Sequence, residues 1–182
     1  MPTIPDQGFC IYLKRIRQEK RAGIGFARTI GNYTCYFSGE AVAGLTGQMV
    51  EAGGPGNNSS KGKDCRVKQG TYPLATHIGP RYRTFGWQEL HLLPALELDM
   101  GKTSPRTGIL IHPCHDSADH YLSSIGCLNP ASGLVDANSD VDLEDSLNRT
   151  LALIGEIQKA YSKLPKEGDI PNAMIIIEGE PS

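Results

Sequence analysis

No apolar run in the sequence approaches the roughly 20 residues that a membrane-spanning helix needs. The first residues, "MPTIPDQGFC", show no basic stretch followed by an apolar core, so no Sec-type signal is visible and the expectation is synthesis as a soluble cytoplasmic species. The net charge of −2 leaves no basic surface for a phosphate backbone, which excludes nucleic acid as the main partner. There is no C-x-x-C pair, no H-E-x-x-H helix and no G-x-x-x-x-G-K-[ST] loop, so the common zinc and nucleotide signatures are missing. No internal repeat or low-complexity segment stands out, and helical periodicity is confined to one stretch.

What is present is punctuation: 21 glycines and 12 prolines in 182 residues favour strands joined by turns over a helix bundle. Phe9 to Arg17 alternates as a strand. Gly23 to Phe37 predicts two strands around a turn at Gly31-Asn32, and Ala41 to Glu51 is ambiguous. Ala52 to Cys65 is the longest breaker-rich stretch and reads as a surface loop. Arg66 to His77 and Glu89 to Asp99 read as strands, the second broken by Pro94. Basic residues from Lys14 to Arg21 predict a solvated strand edge rather than a binding patch. Asp140 to Leu164 has the one helical period, with Val141, Leu143, Leu147, Leu151, Ile154, Ile157 and Tyr161 on one face, and Ala173 to Gly179 is a final buried strand. The expected fold is mainly β, a sandwich or barrel-like core with one long C-terminal amphipathic helix and a last strand. One domain spans 1–182, with N-terminal strands in 1–50, the core carrying the site in 51–135, and the helix and terminal strand in 136–182.

The chemistry concentrates in Arg106 to Pro130, "RTGILIHPCHDSADHYLSSIGCLNP". Gly108 to Ile111 reads as a buried strand that carries His112 at its end, and Cys127 follows Ser124, Ile125 and Gly126. A cysteine acts as a nucleophile when its thiolate is favoured and a base can take its proton. His112 is the candidate base, and the amides of Gly126 and Cys127 are the candidate oxyanion hole. The bland alternative is a small buried cysteine and a histidine that ends a strand. Arg81, Tyr82, Arg83, Phe85 and Trp87 form an aromatic and cationic cluster, which fits either a cap on a barrel end or the wall of a substrate groove. A zinc site built from His112, Cys114, His115, Asp116, His120 and Cys127 competes, but ligands as close as those of "HPCH" sit poorly around one ion. Five cysteines (Cys10, Cys35, Cys65, Cys114, Cys127) leave at least one thiol unpaired, and one pair among the others has the option of oxidising outside the cytoplasm.

"ILIH" and "SIGC" at this separation resemble the H…S-x-G-C signature of L,D-transpeptidase-type catalytic domains, in which a cysteine attacks peptides of the bacterial cell wall. The order "VEAGGPGN…C…QGTYPL…RYRTF…L…RTGILIH…SIGC", with the following helix and "IPNAMIIIEG", is similar to phage and bacterial relatives of that group, over roughly Glu51 to Gly179. The resemblance implies Cys127 as nucleophile, His112 as base, Ser124 and Gly126 as motif residues, and no cofactor. Two positions depart from the pattern: Ile125, where His or a similar residue is usual, and Asn129, where an Arg is usual. Arg106, or Arg81 and Arg83, are candidates to replace that charge, and Tyr82, Trp87, His115 and Asn129 complete the expected substrate contacts. The implied substrates are peptidoglycan stem peptides, reached in the periplasm by a secretion system such as type VI or by a phage module. A toxin of that kind implies an immunity protein. A non-catalytic phage or secretion-apparatus component keeping the same fold is the alternative.

Overall fold

Period-two alternation of apolar residues, as in Phe9, Ile11 and Leu13, commits most of the chain to strands with one face in a core. The computed structural model describes residues 3–59, 65–101, 105–115, 120–122 and 124–182. Its elements are β1 (Phe9–Glu19), β2 (Arg28–Phe37), β3 (Glu40–Ala52), β4 (Gly70–Thr76), β5 (Tyr82–Arg83), β6 (Leu93–Pro94), β7 (Leu96–Leu98), β8 (Ile109–Ile111), β9 (Asn129–Ala131), α1 (Leu143–Ala160) and β10 (Gly168–Glu178). Eight strands form one sheet in the order β8-β7-β4-β10-β1-β2-β3-β9, while β5 and β6 make a separate two-stranded ladder. The ends of the large sheet nearly meet. Ile111 pairs in parallel with Leu128, His112 N–H donates to Leu128 O at 3.0 Å, and Leu128 N–H donates to Leu110 O at 2.8 Å. The result is a nearly closed, barrel-like sheet whose seam lies between β8 and the approach to β9.

The inward row includes Phe9, Ile11 and Leu13 of β1, Met49 of β3, Leu74 of β4, Leu96 and Leu98 of β7, Ile109 and Ile111 of β8, and Ile175 and Ile177 of β10. Leu153, Ile154 and Ile157 of α1 join that same cluster, so the helix packs its apolar residues into the core of the sheet. Asp142 caps α1 by accepting from Asp145 N–H at 2.7 Å, with Glu144 and Asp145 in the first turn, where the helix dipole favours acids.

Three local expectations change. Gly31-Asn32 is not a turn: β2 runs straight through it, and the β2–β3 reversal falls at Ser38-Gly39, both with positive φ, as a tight hairpin turn requires. Gly31 is needed for proximity, because a Cβ there would lie 2.7 Å from Leu13 Cδ1 and 2.9 Å from Lys14 O. The basic segment is not an edge either, since β1 lies between β10 and β2. Arg15 points inward and is 4% exposed. The helix stripe is also rotated: Ser146, Thr150, Leu153, Ile154 and Ile157 are buried, while Leu143, Leu147 and Leu151 stay half-buried. Burying Ser146 and Thr150 is tolerable because Ser146 Oγ accepts from Cys114 N–H at 3.0 Å and Thr150 Oγ1 donates to Ser146 O at 2.9 Å.

Candidate active site

The seam of the sheet builds the site. Ile111 and Leu128 oppose each other and both face the core. Alternation therefore turns Leu110, His112, Cys127 and Asn129 to the outer face, with Cys127 beside Leu110 and Asn129 beside His112. Cys127 and His112 become diagonal neighbours across this parallel pair, Cys127 one position before the bridge and His112 one position after it. Leu110 N–H donates to Cys127 Sγ at 3.3 Å, and Sγ donates to Gly108 O at 3.6 Å.

The turn before Cys127 is organised by Ser124. Its Oγ accepts from Gly126 N–H at 3.1 Å and from Cys127 N–H, and donates to Cys127 O at 3.0 Å. The two amides expected to form an oxyanion hole are thus directed inward, onto the serine. Gly126 has φ of +146°, and a Cβ on it would fall on Arg106 Nη2, so no other residue fits without displacing that guanidinium. Arg106 in turn donates from Nη1 to Asn57 O at 2.6 Å and from Nη2 to Cys65 O at 2.7 Å. It is 7% exposed and ties the glycine-rich loop to the Cys127 turn. Pro105, Arg106, Gly108, Ile125, Gly126 and Cys127 line a cavity of ≈ 290 Å³.

His112 is 2% exposed. Its Nδ1 lies 2.7 Å from Pro113 O, and Asn129 Nδ2 approaches the same nitrogen at 3.3 Å. A carbonyl can only accept, and it makes the shorter contact, so Nδ1 carries the hydrogen and Nε2 the lone pair. Burial pushes the imidazole down to about 4, with His115 and Arg81 adding to the effect against the Pro113 hydrogen bond. Burial also raises the Cys127 thiol, against the pull of Leu110 N–H, Ser124 and the Arg106 guanidinium. At neutral pH the pair therefore rests as thiol and neutral imidazole, and no hydrogen bond joins Cys127 to His112 among the described residues.

The structure brings some expected substrate contacts to this centre and leaves others away. The Tyr82 ring lies on His112 with centroids 4.5 Å apart, and Tyr82 OH bonds His115 Nε2. Arg81 Nη2 is 3.4 Å from His115 Nδ1. Asn129 is held under His112, donating from Nδ2 to His112 O at 2.9 Å. Arg83 instead lines a different pocket with Phe85, Glu89 and Lys166. Trp87 heads the short 3-10 turn Gln88–Leu90, and its carbonyl accepts from Leu92 N–H at 2.8 Å; among the described residues nothing joins it to Cys127 or His112. The cluster Arg81–Trp87 is thus split: Arg81 and Tyr82 lie beside His112 and His115, while Arg83 and Phe85 line a separate pocket. Asp116 of the alternative zinc set lies outside the described residues. Among those described, no three His, Cys, Asp or Glu side chains gather as ligands for one ion.

Two supports had no signal in the sequence. Arg15 pairs with Glu51 through Nε at 2.8 Å and Nη2 at 2.7 Å, both side chains essentially buried. Glu180 bridges from Arg15 Nη1 at 3.2 Å to Arg66 Nη2 at 2.9 Å, tying the last strand to the loop that Arg106 grips. Tyr121 lies under two guanidinium groups, Arg28 at 4.2 Å and Arg21 at 4.9 Å from its ring centroid, and its OH donates to Glu19 O at 2.8 Å. Tyr121 is thereby fastened to Glu19 of β1 and Arg28 of β2. Opposite charges far apart in sequence carry no periodicity, which is why neither cluster could be read in advance.

No family model, no curated protein and no solved structure matches this chain.

Proposed function

We propose that the protein is a cysteine-dependent acyltransferase acting on peptides of the L,D-transpeptidase substrate type, peptidoglycan stem peptides. One observation carries this: Cys127 and His112 come off the two strands that close the sheet, on the same outer face, with a cavity of ≈ 290 Å³ opening at the thiol. Cys127 Sγ attacks the peptide carbonyl carbon, and His112 Nε2 takes the thiol proton. Collapse of the adduct breaks the C–N bond, the leaving nitrogen recovers the proton from His112, and a thioester remains on Cys127. An amine or water then attacks the thioester, the C–S bond breaks, and the thiol is restored. Transfer to an amine gives transpeptidation or amino-acid exchange; transfer to water gives carboxypeptidation. Arg106, which lines the same cavity, supplies positive potential for the oxyanion while the Gly126 and Cys127 amides are engaged by Ser124.

Delivery to the cell wall by a secretion system or a phage module, with an immunity protein as partner in the first case, belongs to the same proposal. The test is incubation with purified muropeptides and mass spectrometry of the products. Cross-linked, exchanged or shortened stems made by the wild type and absent with Cys127→Ala support the reading; unchanged muropeptides overturn it. A second reading, a non-catalytic phage or secretion-apparatus module, draws on the inward-turned amides of Gly126 and Cys127. It is favoured if Cys127→Ala leaves the biological effect of the protein intact.

A further inference from the structure

Leu143 and Leu147 begin the apolar stripe of α1, yet they stay half-buried. With Arg81, Leu93, Pro113 and His115 they wall a second cavity, of ≈ 510 Å³, within the size range of small-molecule sites. Pro113, the residue after His112, lines this cavity, whereas the cavity at Cys127 is walled by other residues. Its chemistry is asymmetric. Three leucines, Pro113 and the buried Cys114 line it beside an exposed guanidinium and an imidazole.

Arg81 is exposed, lies 5.9 Å from the Tyr82 ring centroid, and its hydrogen-bond partner is the His115 ring. Among the described residues no carboxylate pairs with it. A cation at the edge of an apolar pocket suits an amphiphilic anion, because the guanidinium grips a carboxylate bidentately while the tail displaces water from the leucines.

We propose that this cavity binds an apolar α-amino acid through its carboxylate on Arg81, with the side chain against Leu93, Leu143 and Leu147. The amino group then lies on the Pro113 side, toward His112, as the entering or leaving amine of acyl transfer. That last role rests on the acyltransferase reading above; the binding itself does not.

The two are separated by titrating Cys127→Ala protein, which cannot form a thioester, with methionine and leucine of both hands, methionine methyl ester and glutamate, followed by calorimetry or ligand-observed NMR. Saturable binding of methionine or leucine is expected. It should weaken about tenfold or more on esterification, with Arg81→Gln, or with Leu147→Asp, and glutamate should bind worse than methionine. Arg81 and Leu147 are not fully buried, and circular dichroism of the variants checks that they fold. Absence of saturable binding, or an ester that binds as well as the acid, or indifference to Arg81→Gln overturns the proposal. Binding that survives alongside unchanged muropeptides supports the site and removes only its role in acyl transfer.

Discussion

Asn129 Nδ2 donates to the carbonyl of His112 at 2.9 Å, so the residue at the position where the resembled signature would place an arginine holds the strand end that carries His112. It reaches Pro113 O as well, at 3.5 Å, the same carbonyl that fixes the imidazole through Nδ1. Asn129→Leu removes these donors but also removes Oδ1, a buried oxygen with no hydrogen-bond partner among the described residues. The two changes oppose each other, so the stability loss should be small, about 1 kcal/mol. The effect on catalysis should be larger, a fall in kcat of up to about 100-fold from a misplaced imidazole. Urea denaturation beside muropeptide turnover tests this; a large stability loss with unchanged kcat would show that Asn129 only supports the fold.

Acid should loosen the protein through His112. Burial holds its imidazole at about 4, below its ordinary 6.5. Between those values the unfolded chain binds a proton that the folded chain refuses. Its contribution is therefore fully present above about pH 6.5 and is lost as pH falls toward 4, up to about 3 kcal/mol. His115, also lowered by burial and by Arg81, acts in the same sense. The drop in urea midpoint from pH 7 to pH 4.5 should shrink in His112→Gln; an identical drop in both proteins rules out the buried neutral imidazole.

Gly126→Ala tests the close approach of Arg106. The new methyl group would collide with the guanidinium and force a φ that alanine rarely adopts. The expected outcome is displacement of Arg106 from Cys65 O and Asn57 O, loss of the cavity at Cys127, and a cost of about 2–4 kcal/mol. Chemical-shift changes confined to the Cys127 turn, with no loss of stability, would contradict this packing.

Much of the frame was legible because it rests on local pattern. The alternation of Phe9, Ile11 and Leu13 and the run Ile109–Ile111 announce strands, and Asp142 with Glu144 and Asp145 announces a helix start. Gly31 misled because its purpose is tertiary: it makes room for Leu13 and Lys14, which no window around it contains. Arg15 and Lys14 look alike in the sequence, but strand parity sends one inward, where Glu51 meets it from 36 positions away. At the site, residue types were visible and directions were not. Ser124 and Gly126 could be named from the motif, whereas the turning of two amides onto Ser124 Oγ is set by the φ of Gly126 and by Arg106 behind it.

The buried pair Arg15–Glu51 makes the last prediction, since it joins the core to the loop behind the site. Glu51→Ala leaves the Arg15 guanidinium buried with Glu180, Gly179 O and Val67 O as its remaining acceptors. Breaking a buried pair costs about 3–5 kcal/mol, and those acceptors place this one toward the lower end. Removing both charges with Arg15→Met and Glu51→Leu should recover much of the loss, because neither desolvated ion remains. The single variant should also reach the site. Val67, which accepts from Arg15, adjoins Arg66, whose carbonyl and that of Cys65 both receive Arg106. Thiol alkylation of Cys127 should therefore change rate in Glu51→Ala and return toward wild type in the double variant. If stability follows this order while alkylation does not move, the ion pair braces the barrel without positioning Cys127.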